Sequence, residues 1–254
     1  MTIRYGTKAF VFKKSDRNES DRLFSVFTSD FGRLDIFAKA IRKNISKLRS
    51  GIDIFFMSEI EFIQGKKRKT LTDANVIEKF KNISKNLNKF EVANKIGQFL
   101  DNFIKGEEKD ENMFNLVNEM FIKLNNHPIG VKSYSLIYYY FLLNALSLLG
   151  YHPEVQKCNI CRAEINPYNI YFSNKSGGVI CKNCLNSDVQ AKKINSDIVK
   201  IMRLILKKEW QIFSKLKIET SSQRLFEKTA ENYYLYILSS HSFKNVFKIE
   251  VGVL

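Results

Sequence analysis

The cysteines are the residues whose type and spacing point most directly to chemistry. All 4 fall in two C-x-x-C pairs, Cys158 with Cys161 and Cys181 with Cys184. Two such knuckles can place four thiolates around one Zn²⁺ ion in a tetrahedron. Because four thiolates leave no position open for water, the pattern predicts a structural metal site and not a catalytic one. Two disulfides, four unrelated core thiols, or an iron–sulfur cluster on the same ligands are the alternatives.

A β-hairpin is the element expected to carry the second knuckle up to the first. Between the pairs, a short apolar stretch at 168–172 is followed by a polar turn at 173–178. Gly177 and Gly178 end that turn and lead the chain into the second knuckle. We predict a zinc-ribbon module over residues 155–190.

Charge is the second strong signal in the sequence. Lys and Arg number 41 against 26 for Asp and Glu, a net charge of +15. Such an excess attracts polyanions over long range, and nucleic acid is the polyanion we expect for this chain. The alternative is a compositional bias toward lysine. The zinc-type cysteine pattern favours a reducing compartment, and the first residues do not resemble a signal peptide, so we predict a cytoplasmic protein.

The basic residues are concentrated in two segments near the N-terminus. The predicted DNA-binding residues of the first segment are Lys39, Arg42, Lys43, Lys47 and Arg49, and those of the second are Lys66, Lys67, Arg68 and Lys69. A solvated turn rich in lysine is the alternative for each segment. The aromatic candidates for base stacking are Tyr5, Phe31, Phe37 and Phe55.

The first 79 residues have the pattern of a small β-barrel. Short runs rich in apolar residues lie at 8–14, 23–28, 33–39, 52–63 and 70–77. In these runs apolar and polar residues alternate, or turn residues stand at the ends, including an Asp-x-Gly turn at 29–32. Five such strands fit an OB-fold that binds nucleic acid, and an SH3-like barrel is the alternative. We predict an OB-fold barrel over residues 1–79.

Residues 80–254 are predicted to be a helical domain that carries the zinc ribbon as an insertion, which makes the chain an α+β multidomain protein. Helical spacing of apolar residues predicts helices from Ser84 to Ile104, over 112–124, from Val131 to Leu149, over 196–208 and over 221–240. The apolar segment 133–150 has nearly the length of a membrane span. Since it contains Asn144 and several serines, we interpret it as a buried helix and predict no membrane association.

The sequence shows no catalytic constellation, and we predict a protein that is not an enzyme. It has no phosphate-binding loop and no G-x-S-x-G motif, and His127, His152 and His241 stand apart in sequence. Asp16, Glu19 and Asp21 form a tight carboxylate group that would suit a metal-dependent nuclease, but a polar turn between strands is the simpler interpretation.

The order of these features resembles the bacterial recombination mediator family RecO over most of the chain. The matching segments are 19–23, 27–32, 38–43, 71–74, the Leu148 to Pro153 block that leads into Cys158 and Cys161, and 176–178 before Cys181 and Cys184. The Gly-Tyr-x-Pro block with the four cysteines is the most specific of them. One departure is Ala40, where the family has glycine in Ala-Lys-Gly-x-Arg.

The resemblance implies an OB-fold joined to a helical domain with a zinc ribbon. It also implies binding of single- and double-stranded DNA and annealing of complementary strands in DNA repair and recombination. The implied partners are RecR, the acidic C-terminal tail of single-stranded-DNA-binding protein and, indirectly, the RecA recombinase. A structural adaptor that docks acidic protein tails, with incidental DNA contact, is the alternative function.

Overall fold

The computed structural model describes residues 3–128 and 134–250, with side chains as far as residue 240. Two compact units make up the chain, residues 1–138 and 139–254. The first unit thus contains more than the segment 1–79, and the boundary at 79/80 between a barrel and a helical domain stays a prediction.

The first unit contains a closed five-stranded barrel. Its strands are β1 (Arg4–Arg17), β2 (Asp21–Thr28), β3 (Gly32–Ala38), β4 (Met57–Gln64) and β5 (Lys69–Glu78). They are arranged in the order β1-β2-β3-β5-β4, and β1 pairs with β4 to close the sheet. Because β3 lies beside β5 in parallel and β4 lies beside β1, this is an OB-fold-like barrel and not an SH3-like one.

Alternation along the strands explains why the barrel closes around one core. In β4, Ile60 and Phe62 point inward and are 0% and 2% exposed, while Glu59 on the other face is exposed. The predicted strand from residue 52 is wrong at its start, because β4 begins only at Met57. Phe55 has φ 61, a left-handed conformation outside the extended region of regular strands, and its amide donates to Val11 O outside the ladder.

Three helices of the first unit follow the barrel strands. They are α1 (Lys81–Ser84), α2 (Leu87–Phe103) and α3 (Glu111–Asn126). The predicted cap at Ser84 is wrong: Asn86 caps α2, and its side chain accepts from Lys89 N. Aromatic rings join these helices to the barrel, with the Phe10 and Phe121 centroids 4.2 Å apart.

The predicted central apolar helix is α4 (Tyr134–Leu148), and its expected start at Val131 lies outside the described residues. Phe141, Leu142 and Leu143 are fully buried. Its one amide, Asn144, donates to Tyr140 O at 2.9 Å and to Ile205 O at 3.3 Å, so its polar group is satisfied. Among the described residues, no helix combines the length and apolarity needed to cross a bilayer.

The second unit contains a small sheet and further helices. The sheet strands are β6 (Ile170–Ser173), β7 (Gly178–Cys181) and β8 (Lys192–Ile194), and the helices are α5 (Ser196–Leu206), α6 (Trp210–Phe213) and α7 (Thr220–Glu250). The predicted hairpin is confirmed, because β6 pairs with β7 in antiparallel fashion. The third strand, β8, pairs with the other edge of β6 and was not predicted. The Phe172 and Tyr233 rings, 5.5 Å apart, hold β6 against α7.

Candidate metal centre and nucleic-acid interface

The four cysteines converge on one point of the second unit. Their Sγ atoms all lie within 4.8 Å of one another, and the sulfurs of Cys161 and Cys181 are 3.7 Å apart. A tetrahedron with Zn–S bonds of about 2.3 Å has S···S edges of about 3.8 Å, so the spacing fits a metal. A disulfide would need about 2.05 Å, and all four cysteines are free thiols. The cluster can therefore hold a metal ion.

Local hydrogen bonds shape the two knuckles around this point. In the first, Arg162 N donates to Cys158 O at 2.8 Å, and Arg162 itself has φ 62, which turns the chain back after Cys161. In the second, Cys181 ends β7 and a short 3-10 helix, Lys182–Ser187, presents Cys184. The buried Cys158 thus meets Cys161 from its own knuckle, Cys181 from the end of the hairpin and Cys184 from the 3-10 helix.

Backbone donors favour the thiolate form that a metal requires. Burial raises the pKa of the Cys158 thiol, but N–H groups of Cys161, Cys181 and Ile160 outweigh it and bring that pKa to about 6. The pKa of Cys184 is raised to about 12, chiefly by its hydrogen bond with Cys161. Four thiolates this close repel one another, so a shared cation is what would allow all of them to ionise.

Gly178 is the residue on which the hairpin geometry depends most. A Cβ added there would lie 2.4 Å from Glu154 O, because Glu154 forms a parallel bridge with Gly178 at the edge of β7. Gly177 before it has φ 71. The two glycines therefore form the turn that the sequence predicted, and only Gly178 is required by close approach.

The two basic segments of the barrel are brought together around Asp21. In the turn after β3, Ala40 N donates to the Asp21 carboxylate at 2.8 Å and Arg42 N donates to Ser20 O at 2.9 Å. The pKa of Asp21 is lowered, first by the bond from Ala40 and further by the charges of Lys39 and Arg68. The geometry agrees, because Phe37 pairs with Thr70 and its ring centroid lies 3.7 Å from the Arg68 guanidinium, which brings the second segment to the end of β3, where Lys39 follows.

The nine predicted DNA-binding residues differ in what already engages them. Arg42 lies 3.4 Å from Asp16, Arg49 donates to Asn44 at 3.2 Å, and the Arg68 guanidinium lies 3.7 Å from the centroid of the Phe37 ring. Lys69 is only 17% exposed and pairs with Glu107 at 2.5 Å, so its charge is already satisfied. Within the described part of the chain, the residues with no such partner are Lys39, Lys43, Lys47, Lys66 and Lys67.

The aromatic candidates for stacking are less available than the sequence suggested. Phe55 is 4% exposed and packs against Phe90 and Phe121 in the core. Tyr5 and Phe31 both pack on Phe62. Sequence reasoning missed Ile45, an isoleucine 88% exposed in the middle of the first basic segment. The signal in the sequence that could have identified Ile45 is an apolar side chain between two lysines.

The carboxylates that suggested a nuclease are held by cations and amides. Asp16 accepts from Arg22 Nε at 2.7 Å, and Asp21 accepts from Ala40 N and from Asn18 at 3.0 Å. Across the described ranges, the cysteine cluster is the group of His, Cys, Asp or Glu side chains placed to share a metal ion. His152 contacts Ser147, and the side chain of His241 lies outside the described residues.

The fold and the two sites define an α+β protein with an OB-fold-like barrel and a four-cysteine module, and two family models match its sequence. The model of the N-terminal part of recombination protein O matches residues 1–80, and that of its C-terminal part matches residues 84–245. The chain therefore belongs to the RecO family of DNA repair proteins.

Similar proteins described as "DNA repair protein RecO" match this chain over most of its length and over most of their own. One from Dehalococcoides mccartyi (strain CBDB1) is 32% identical over 214 residues, which cover 84% of this chain and 83% of that protein. One from Thermoanaerobacter sp. is 28% identical over 216 residues, 84% of each chain. One from Desulforamulus reducens is 25% identical over 234 residues, 92% of this chain and 90% of that protein.

Ala40, where the resemblance to the family leads us to expect glycine, has a backbone φ of 52. The left-handed conformation costs alanine about 1–2 kcal/mol relative to glycine, and the greater freedom of glycine in the unfolded chain offsets about 0.4–1 kcal/mol of this. We therefore expect Ala40→Gly to raise the free energy of unfolding of the barrel by roughly 0.5–1 kcal/mol. Hydrogen exchange of the barrel amides measures this change.

The matched control for Ala40→Gly is Ala38→Gly. Ala38 is buried at the end of β3 and has no positive φ, so the same change there should destabilise the barrel by about 1 kcal/mol. Equal or faster exchange in Ala40→Gly would show that the turn after β3 is not strained.

Proposed function

We propose that this chain is a non-enzymatic recombination mediator that binds single- and double-stranded DNA through the barrel, anneals complementary strands and helps RecR to load recombinase. The observation that carries the proposal is the convergence of the two basic segments around Asp21, on the side of the barrel where the β1–β2 and β4–β5 turns meet the turn after β3. In OB-folds, these turns border the groove that binds oligonucleotides. The proposed DNA-binding residues are those of the two segments.

Annealing follows from charge neutralisation. Two DNA strands repel each other through their phosphates, and lysines that approach the backbone release condensed counterions. A chain with a net charge of +15 lowers the repulsion between two strands, so that complementary bases can search for register. This mechanism requires no bond to be made or broken in the DNA.

The proposed cofactor is one structural Zn²⁺ ion held by Cys158, Cys161, Cys181 and Cys184. The sulfur spacing and the donor set support zinc, since a closed set of four thiolates is typical of structural zinc sites. Zinc would supply folding free energy to the ribbon and no reactive position. A reducing bacterial cytoplasm, which we propose as the location, keeps such thiols available.

The proposed protein partners are RecR, the acidic tail of single-stranded-DNA-binding protein and, indirectly, RecA. A groove of about 530 Å³ in the second unit suits an acidic tail with an apolar end. Ile201, Leu204 and Leu216 supply apolar lining. Its basic residues, Lys200, Arg203, Lys207 and Lys217, outnumber its acidic residues, Asp197 and Glu219, and Asp197 already pairs with Lys200 at 3.5 Å. The same groove is what favours the alternative function, an adaptor for acidic tails.

Fluorescence anisotropy of a labelled single strand tests the proposal. If the five unpaired lysines each contact a phosphate, the slope of log K against log salt is about −3.5, and affinity falls roughly 100-fold between about 50 mM and about 200 mM salt. The control is the same titration with an acidic peptide that ends in phenylalanine. Displacement of salt-sensitive DNA binding by the peptide would support the mediator function and indicate overlapping or coupled sites. Absence of DNA binding at low salt would contradict the mediator function and favour the adaptor.

A further inference from the structure

A second basic groove lies inside the unit of residues 139–254, between the ribbon sheet and α7. Two adjoining cavities of about 360 Å³ and about 740 Å³ share Asn174, Lys192 and Asn232 in their walls, so they form one continuous groove. We call it the ribbon groove. It is separate from the metal cluster, because no cysteine lines either cavity.

One stripe of α7 forms the helical wall of the ribbon groove. Lys228, Asn232 and Tyr236 follow one another at intervals of four residues and therefore lie on one face. The opposite wall is the ribbon, with Phe172 of β6 and Lys192 and Lys193 of β8. Since Phe172 packs on Tyr233 of α7, the two walls are fixed to each other.

The groove is positively charged and its polar groups are available. Lys175, Lys192, Lys193 and Lys228 are exposed, and within the described residues none of their ammonium groups pairs with a carboxylate. Asp188 is the lining carboxylate, and its oxygens already accept from Ser173 at 2.5 Å and from Gln190 N at 3.0 Å.

We infer that the ribbon groove binds a second single strand of nucleic acid, so that one chain holds both strands during annealing. This inference rests on the proposed function and names its second site. Lysines contact phosphates, the amides of Asn174 and Asn232 contact base edges, and the 38% exposed ring of Tyr236 offers a stacking surface. An acidic peptide with an apolar end is less well matched, because the walls present amides and an aromatic ring with only two aliphatic side chains, Val189 and Leu225, whereas four aliphatic side chains line the groove beside α5.

The stoichiometry of a short oligonucleotide tests the inference. A strand of about eight nucleotides lies within the range that one OB-fold covers and is too short to fill two sites. At low salt, calorimetric titration should give two strands per wild-type chain and one strand for the Lys192→Glu, Lys193→Glu, Lys228→Glu variant. The control is Lys157→Glu, Lys208→Glu, Lys215→Glu, which makes the same change of charge on exposed residues of the same unit that line neither groove, and it should keep two strands.

A cross-link gives a direct readout on an otherwise unchanged chain. With p-benzoylphenylalanine in place of Tyr236, irradiation should join a labelled oligonucleotide to α7, and an unlabelled oligonucleotide should compete more strongly than polyglutamate. Two strands on the Lys192/Lys193/Lys228 variant, no cross-link, or stronger competition by polyglutamate would overturn the second site while leaving the barrel function intact. No strand on the wild-type chain would contradict the proposed function itself.

Discussion

Replacement of Cys158 by serine is expected to abolish metal binding and to unfold the ribbon. Cys158 is the buried member of the cluster and the one whose sulfur accepts the backbone N–H of Cys181 at 3.4 Å. Structural zinc supplies about 10–16 kcal/mol in small zinc-binding peptides, far more than a three-stranded sheet of this size gains from its own core. The loss of one ligand should therefore remove the driving force that holds the hairpin.

The measurement for Cys158→Ser is the zinc content after dialysis, together with hydrogen exchange of the ribbon amides. The wild type should retain one zinc ion per chain and protect β6 and β7, and the variant should do neither. Tyr168→Ser is the matched control, because Tyr168 is 83% exposed in the same module and is not a ligand. Protected ribbon amides in a metal-free Cys158→Ser variant would show that the ribbon folds without the ion.

Charge reversal in the turn after β3 should weaken DNA binding strongly without unfolding the barrel. Arg42 and Lys43 are exposed, and the backbone bond from Arg42 N to Ser20 O does not depend on the side chain. Each lost phosphate contact lowers the magnitude of the salt slope by about 0.7 on single strands. Lys43 is one of the five lysines counted as phosphate contacts, so for Arg42→Glu with Lys43→Glu we expect the magnitude of the slope to fall by about 0.7 and affinity at low salt to fall by roughly tenfold or more, since both changes also reverse a charge.

Anisotropy titrations over a range of salt concentrations measure both quantities. Lys81→Glu with Lys85→Glu is the matched control: it makes the same change of charge in the same unit, beyond the far end of β5, roughly 30 Å of strand away from the β4–β5 turn. The control variant should keep nearly wild-type affinity. An unchanged slope in the Arg42/Lys43 variant would remove the barrel surface from the mechanism.

The cysteine site could be predicted almost completely, because its information is local. Each knuckle is fixed by two residues three apart, and the hairpin between them is encoded by an apolar stretch followed by a glycine turn. The third strand, β8, was missed because three residues, two of them lysines, carry no recognisable alternation. Its place in the sheet comes from pairing with Tyr171 and Phe172, a long-range contact.

The barrel shows where local patterns stop being informative. Alternation located β4 and β5. Residues 52–56, four of which are apolar, fit a strand pattern equally well, although in the structure they form the irregular segment that contains Phe55. Ser84 and Asn86 are both good caps, so composition alone could not choose between them. The pairing of Lys69 with Glu107 joins residues 38 positions apart, and no local pattern could have indicated it.

The seam between β3 and β5 has a consequence for the order of assembly. The pairs β1–β2, β2–β3 and β4–β5 are formed by consecutive strands, but β3 and β5 meet only at Ile36–Lys69 and Phe37–Thr70. Closing the long loop between β3 and β5 costs conformational entropy, and only two residue pairs offset that cost. We therefore expect this seam to form late in folding. Lys39 and Arg68 come together only when it closes. A nascent chain would then present two separate basic segments, and the complete basic surface would exist only in a finished barrel.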